Sequence, residues 1–373
     1  MKETVDIGLV SNIPSPYRIP LFNSIAGRED VKLTLYFMDV TEKNRSWAVA
    51  PEEWEFNHVF LDGSTWYSNM IDRSVAVNWG VIPRFRKASH DVIVIGGYNH
   101  TTCWVTLAYS KLSGTPVVPW NGTWTGSIRL DNPFVNTLRH TFARSGQAWI
   151  AYGSKAAATL SSWGADEKRI FEATNTVDVA RFVEQSKKVS QEDVDDRFEL
   201  LYCGQLIERK NVRTIINALS TISSDDVSLR VIGDGPEEKK LRRQADEADI
   251  QATFEGFVPR DELYRYYTHA DVLVLPSTEE VWGLVVNEAL ACGTPALVST
   301  KCGCAPDLIQ EGFNGNTFDP APDSFVDTIT DLREEFLEYG DADEIRQDAL
   351  NRFSIERSAN AFVSACQTAS NRS

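Results

Sequence analysis

The sequence predicts an α/β protein in two halves, each a parallel sheet joined by crossover helices. Three observations point there. Short apolar runs alternate with helix-like stretches along the chain. A length of 373 residues is more than one hydrophobic core usually serves, so two domains are expected. Glu184–Arg197, EQSKKVSQEDVDDR, is polar and charge-rich, as a linker would be.

In the first half the strand-like runs are Val5–Val10, Val31–Phe37, Val92–Ile95, Pro116–Pro119 and Ala148–Ala151. In the second they are Glu199–Tyr202, Ser228–Ile232, Ala252–Phe254, Asp271–Leu275 and Pro295–Val298. Helical stretches fall at 211–222, 236–248, 260–268 and 283–291, each between two strands as a crossover requires. The expected domains are therefore 1–183 and 198–354, with 184–197 between them.

The most informative stretch is Pro276–Pro295, PSTEEVWGLVVNEALACGTP. A buried strand ends at Pro276-Ser277, a loop carries Glu280, and a helix beginning near Gly283 carries Glu288. Gly293 stands where a C-cap would end that helix. Strand, loop and helix start in this order present free backbone N–H groups to an anion. Two glutamates separated by seven residues could hold hydroxyls of one ligand, since each carboxylate accepts several hydrogen bonds. Taken alone, the spacing also fits a solvated helix with two surface acids.

The surroundings of the two glutamates resemble the E-x7-E motif of glycosyltransferase family 4, retaining sugar transferases of the GT-B fold. The matching residues are Pro276-Ser277, Glu280, Trp282-Gly283-Leu284-Val285, Glu288-Ala289 and Cys292-Gly293-Thr294-Pro295. Three further segments resemble the family in the same order. Leu201 to Asn211, LYCGQLIERKN, looks like its Gly-Arg-Leu…Lys-Gly segment. Val231-Ile232-Gly233-Asp234-Gly235-Pro236 looks like its Gly-x-Gly-Pro turn, and Phe254-Glu255-Gly256-Phe257-Val258 like the loop beside the nucleobase. The resemblance implies two Rossmann-like domains facing a cleft, with the donor on the second. It also implies that the last helix, from about residue 355, crosses back to the first.

By that resemblance Gly204, Gln205, Lys210, Val258, Glu280, Gly283, Leu284, Val285 and Glu288 bind a UDP- or GDP-sugar donor. Lys210 takes the phosphate, Glu288 the ribose hydroxyls and Glu280 the transferred sugar, so Lys210 and Glu280 are the catalytic candidates. Gln205 departs from the family, which commonly has Arg there; Arg209 or Arg18 could supply that charge. A departing nucleoside diphosphate develops negative charge that a metal or fixed positive groups must stabilise. Of the Asp-x-Asp triplets, Asp341-Ala342-Asp343 lies in a polar helical tail and reads as a solvated turn, and Asp193-Val194-Asp195 falls in the charge-rich linker stretch. No metal and no cofactor are expected. A covalent route and a front-face route both remain open, the second being the family's usual description.

The acceptor side follows the strands of the first half. Asn12 to Pro20, NIPSPYRIP, follows the first of them and places the chain with a subset carrying Pro-Tyr-Arg. Tyr17 and Arg18 are candidates there, Arg18 for a phosphate of the donor or of a lipid-diphosphate acceptor. The other reading of Arg18 is a structural residue that bridges loop and helix. Gly97, Tyr98 and Asn121 follow later strands, and the aromatics around Trp120 and Trp124 suit either sugar stacking or core packing.

Composition bounds the class. Hydrophobic residues are 42% and charged residues 24%, ordinary for a soluble protein. There is no run of the roughly 18 apolar residues a membrane span needs, and the N-terminal residues do not read as a signal peptide. Six scattered cysteines fit a reducing cytoplasm better than a disulfide framework. Cys302-Gly303-Cys304 lacks companions at zinc spacing, and it stands where the family has a Gly-Gly turn near the donor sugar. Residues 1–175 carry 17 Lys+Arg against 16 Asp+Glu, while the remainder carries 20 against 37. Such acidity excludes nucleic acid as a partner. In the near-neutral half, Pro83-Arg84-Phe85-Arg86-Lys87 is a basic cluster around an aromatic, either a solvated loop or a weak contact with anionic lipid.

The expected function is therefore sugar transfer to a saccharide acceptor, lipid-linked, in polysaccharide or glycan assembly at the cytoplasmic face of a membrane. A nucleotide-sugar epimerase, a sugar phosphorylase and a catalytically silent GT-B partner are the alternatives on the same fold.

Overall fold

The structure, a computed structural model, describes residues 4–41, 51–68, 73–190, 197–222, 226–321, 325–328 and 339–371. The chain divides into two compact units, Met1–Asn175 with Ile355–Ser373, and Thr176–Ser354.

The first unit contains β1 (Val5–Ser11), α1 (Ile19–Ala26), β2 (Val31–Phe37), β3 (Asn57–Phe60), the β4–β5 hairpin (Ser64–Ser68, Arg73–Val77) and α2 (Val81–Ala88). Then come β6 (Val92–Gly96), α3 (Thr101–Ser113), β7 (Val117–Asn121), α4 (Pro133–Ala143), β8 (Trp149–Ala151), α5 (Ser154–Ser162) and β9 (Ile170–Glu172). Its seven-stranded sheet runs β3-β2-β1-β6-β7-β8-β9, with every pairing parallel. Alternation along β1 sends Ile7 and Leu9 to one face and Val10 to the other, each into its own apolar cluster. Such two-sided burial is what near-continuous apolar strands imply.

The second unit contains α6 (Val179–Ser186), β10 (Phe198–Cys203), α7 (Val212–Ile222), β11 (Val227–Ile232), α8 (Glu238–Glu247), β12 (Ala252–Gly256), α9 (Leu263–His269) and β13 (Val272–Leu275). It continues with α10 (Leu284–Cys292), β14 (Ala296–Ser299), α11 (Ala305–Leu308), β15 (Gly315–Phe318) and α12 (Ala342–Phe353). The sheet order is β12-β11-β10-β13-β14-β15, again parallel. The final helix, α13 (Ile355–Ser370), belongs to the first unit. It lays Ala359, Phe362, Val363, Cys366 and Ala369 on α1 and on the sheet beneath, its small residues allowing close approach.

Two expectations need correction. The first unit ends at Asn175, not at residue 183, because α6 packs on α9, α10 and α12 of the second. Glu184–Ser186, read as linker, are the last turn of α6; residues 191–196 of that stretch lie outside the described residues. The Arg84-Phe85-Arg86-Lys87 cluster is not a loop. It lies within α2, where Phe85 is buried against Tyr36 and the three cations face outward.

Each sheet reverses its order once. The reversal falls between β1 and β6 in the first unit and between β10 and β13 in the second. Open α/β sheets bind ligands outside the carboxyl ends of the strands at such points.

Candidate active site

In the second unit the reversal brings together the segments after β10 and β13. Gly204 (φ 153°) follows β10, and Gly233 (φ 125°) follows β11. A Cβ on Gly233 would lie 1.9 Å from the Gly204 carbonyl oxygen, so the two turns meet backbone to backbone. Gln205 is exposed beside them. Lys210 ends the short 3₁₀ turn Glu208–Lys210, directly before α7. It is bound to the carboxylate of Glu280, whose own backbone is held by Lys301 and Gly303. Arg209 Nη1 stands 3.7 Å from the same carboxylate oxygen.

Burial alone would raise the Glu280 carboxyl. The charge and hydrogen bond of Lys210, helped by Arg209, overcome it and hold the group below its ordinary 4.5. The pair is thus an ionised carboxylate and its cation, and Lys210 points at Glu280 rather than into open solvent. Sequence spacing carries no trace of that pairing.

Gly283 (φ 113°) caps α10, and no other residue fits there. A Cβ would lie 2.7 Å from Leu275 Cδ2 and 3.2 Å from Cys304 Sγ. The amides of Gly283, Leu284 and Val285 therefore open the helix with no intrahelical carbonyl to bind. Trp282 is buried, and its Nε1 donates to Asn287 Oδ1 at 3.0 Å, which fixes the loop between the glutamates. Glu288 is buried on α10. Tyr267 Oη donates to its Oε2 at 2.9 Å and Arg260 Nε to its Oε1 at 3.3 Å. Each carboxylate oxygen keeps a lone pair for a ligand hydroxyl. Val258 lies in the loop after β12, beside the exposed Phe257.

Tyr267, Arg260 and Asn287 were missed from sequence. Tyr267 falls inside the helical stretch 260–268 with nothing to single it out, although its place on α9 opposite α10 is what aims Glu288. Asp341 is not a free turn: it caps α12, accepting from the Asp343 and Glu344 amides. Among the described residues no group of three or more His, Cys, Asp or Glu side chains gathers as a metal site.

In the first unit Arg18 ends the turn Pro16–Arg18 after β1. Its guanidinium lies 4.6 Å from the Trp120 ring centroid and donates to Tyr152 Oη, with Tyr17 alongside. Gly97 (φ 87°) leaves open space where a Cβ would stand. Tyr98 and Asn121 do not join this group. Tyr98 is buried between Phe142 and Trp163 and receives Arg139 Nε at 3.4 Å. Asn121 is buried too, with both ends of its amide spent on Thr123. Trp120 packs on Phe22 and Phe362 in the core, and Trp124 lies under Lys155 Nζ at 4.3 Å.

Comparison with known proteins gives one family model, described as glycosyl transferases group 1, matching residues 183–346. The D-inositol 3-phosphate glycosyltransferase of Pseudarthrobacter chlorophenolicus is 33% identical over 173 residues, 43% of this chain and 41% of that protein. The GDP-mannose-dependent alpha-(1-6)-phosphatidylinositol dimannoside mannosyltransferase of Mycobacterium tuberculosis is 37% identical over 103 residues, 27% of this chain and 26% of that one. The chain thus spans less than half the length of these curated relatives. The Anabaena protein Alr3699/HepE, solved with UDP, superposes with a TM-score of 0.74 at 16% identity, covering 98% of this chain and 100% of that one. The chain has the GT-B fold, and its residues 183–346 match the glycosyl transferases group 1 model.

Proposed function

We propose that the protein is a retaining glycosyltransferase that moves a hexose-type sugar from a UDP- or GDP-sugar to a saccharide acceptor, without a metal. The observation that carries this reading is the meeting of Lys210, Glu280 and the α10 amides at the strand reversal of the second unit. The relatives add weight: one bears the name of a GDP-mannose-dependent enzyme, and the Anabaena protein was solved with UDP and with UDP-glucose.

The chemistry follows from charge. As the bond from the anomeric carbon to the β-phosphate oxygen breaks, negative charge grows on that oxygen. Lys210, Arg209 and the first-turn amides of α10 supply fixed positive charge for it. In a front-face reaction the acceptor oxygen bonds to the anomeric carbon on the side the phosphate leaves, and its proton passes to the departing phosphate oxygen. Glu280 accepts from sugar hydroxyls and, held ionised, keeps Lys210 in place until the diphosphate competes for it. Glu288 accepts from the ribose.

A lipid-diphosphate-linked acceptor and a weak membrane contact belong to the same proposal. Arg84, Arg86 and Lys87 share the outer surface of α2, and Trp79 just before it is 66% exposed. Such a face suits anionic headgroups. Among the described residues no helix is long and apolar enough to cross a membrane.

The test is turnover of purified protein with UDP- and GDP-sugars in excess EDTA, with the anomeric configuration of the product read by NMR. Retention with activity intact agrees with the proposal; inversion, or activity restored only by Mg²⁺ or Mn²⁺, contradicts it. Conversion of the donor without an acceptor would indicate an epimerase, and a requirement for phosphate would indicate a phosphorylase.

A further inference from the structure

Arg18 of the first unit is a cation with no counter-ion among the described residues. Arg18 is surrounded by rings, its guanidinium 4.6 Å from Trp120, 5.5 Å from Tyr17 and 5.8 Å from Tyr152. Among the described residues no carboxylate pairs with it; its polar neighbours are the two tyrosines. Its Nε–H is buried without an acceptor. Two more buried groups share that condition, Trp120 Nε1 and Ser11 Oγ, on residues 4% and 1% exposed.

The residues that carry these groups are neighbours in the first unit. Trp120 belongs to the apolar cluster that covers the α1 and α13 face of the sheet. Ser11 falls on the same face, two and four residues beyond Leu9 and Ile7. Gly96 sits between them at the carboxyl ends of the strands, where a Cβ would be 3.9 Å from Ser11 Cα and 4.0 Å from Trp120 Cε3. This is the point where the first unit's strand order reverses.

An indole N–H and a guanidinium N–H can only donate, and a serine hydroxyl can turn to donate. A ring cage attracts the guanidinium but gives its N–H groups nothing to bind. Leaving buried donors and a desolvated charge unmet is unfavourable. The missing component is an acceptor-only, negatively charged group that a planar guanidinium can grip.

We propose that Ser11, Arg18 and Trp120 form an oxyanion subsite in the first unit that takes a phosphate or carboxylate group of the acceptor. The word acceptor rests on the transferase reading above; the binding of an oxyanion does not. Arg18 is half-buried while Ser11 and Trp120 are buried, so an anion would enter on the Arg18 side.

The test uses full-length protein with ¹⁵N-labelled tryptophan, the Trp120 indole signal being assigned with Trp120→Phe. Inorganic phosphate and acetate are titrated at constant ionic strength, with chloride as the control. Saturable movement of the Trp120 signal is expected, and whichever anion binds more tightly names the group. The movement should survive Lys210→Ala, weaken at least tenfold in Arg18→Lys and vanish in Arg18→Ala. Should Arg18→Ala not fold, Arg18→Lys decides, since it keeps charge but not the planar fork. An unmoved signal, an equal response to chloride, or a response that follows Lys210 instead of Arg18 overturns the proposal. Nucleotide binding by the second unit is measured separately, so a failed transferase reading leaves this result standing, and the reverse.

Discussion

Lys210 and Glu280, seventy positions apart, form an ion pair where the second unit's strand order reverses. Both side chains are mostly buried, each 14% exposed, which makes the pair unlike a surface salt bridge. On the proposed reading, Lys210→Ala removes a cation that faces the departing phosphate, and it strands a mostly buried carboxylate. The expected cost is about 3 kcal/mol in the transition state, roughly a hundredfold in turnover. Adding Glu280→Gln to that variant should cost less than the two single losses together, because the partners act as a unit. Steady-state rates of the four proteins check this; turnover of Lys210→Ala within threefold of wild type would sink the assignment.

The same pair predicts a pH dependence of stability. Glu280 has its carboxyl held below the ordinary 4.5 by Lys210. A lowered folded-state value stabilises the protein above the unfolded value, and that contribution is lost as pH falls through the folded one. Urea unfolding between pH 6 and about pH 3 should therefore show wild type losing stability below 4.5. Lys210→Ala should lose less over that window. Parallel curves for the two proteins would mean the pair carries no linkage.

Two glycines with left-handed backbones separate strain from contact. Gly233→Ala puts a Cβ 1.9 Å from the Gly204 carbonyl oxygen, whereas Gly97→Ala meets nothing within 4 Å. The first should cost more than about 2 kcal/mol and disturb nucleotide binding, the second about 1–2 kcal/mol from conformation alone. Urea midpoints decide, and equal losses would show that the close turn can relax.

The proposed membrane contact turns on the outer face of α2. Arg84, Arg86 and Lys87 together give at most ~3 kcal/mol, screened within about a Debye length. The expected outcome is salt-sensitive co-sedimentation with anionic vesicles, absent from neutral ones and lost in the triple alanine variant. If wild type and variant sediment alike, the cluster only solvates the helix.

Much of this was legible in the sequence because parallel strands buried on both faces leave unbroken apolar runs. The runs at 92–95 and 271–275 coincide with β6 and β13 to within a residue. The strand Asn57–Phe60 was missed because it is a short edge whose first two residues are polar and exposed, and Gly315–Phe318 because Gly-Asn-Thr-Phe reads as a turn. Glu280, Lys210 and Glu288 could be named because they sit in recognisable segments. Their partners could not. That Lys210 reaches Glu280, and Tyr267 reaches Glu288, depends on which strands lie side by side, and no local pattern records it. Asn121 shows the converse: at the end of a strand it looks available, yet the backbone of Thr123 consumes it.

The most direct test of the central claim is thermal unfolding with UDP, GDP and ADP, run on wild type, Glu288→Ala and Glu280→Ala. At ~100 times its dissociation constant the true nucleotide should stabilise wild type by about 2.7 kcal/mol. If Glu288 holds the ribose and Glu280 the sugar, as proposed, that shift should be lost in Glu288→Ala and nearly kept in Glu280→Ala. No shift with any nucleotide, or equal loss in both variants, would contradict the account.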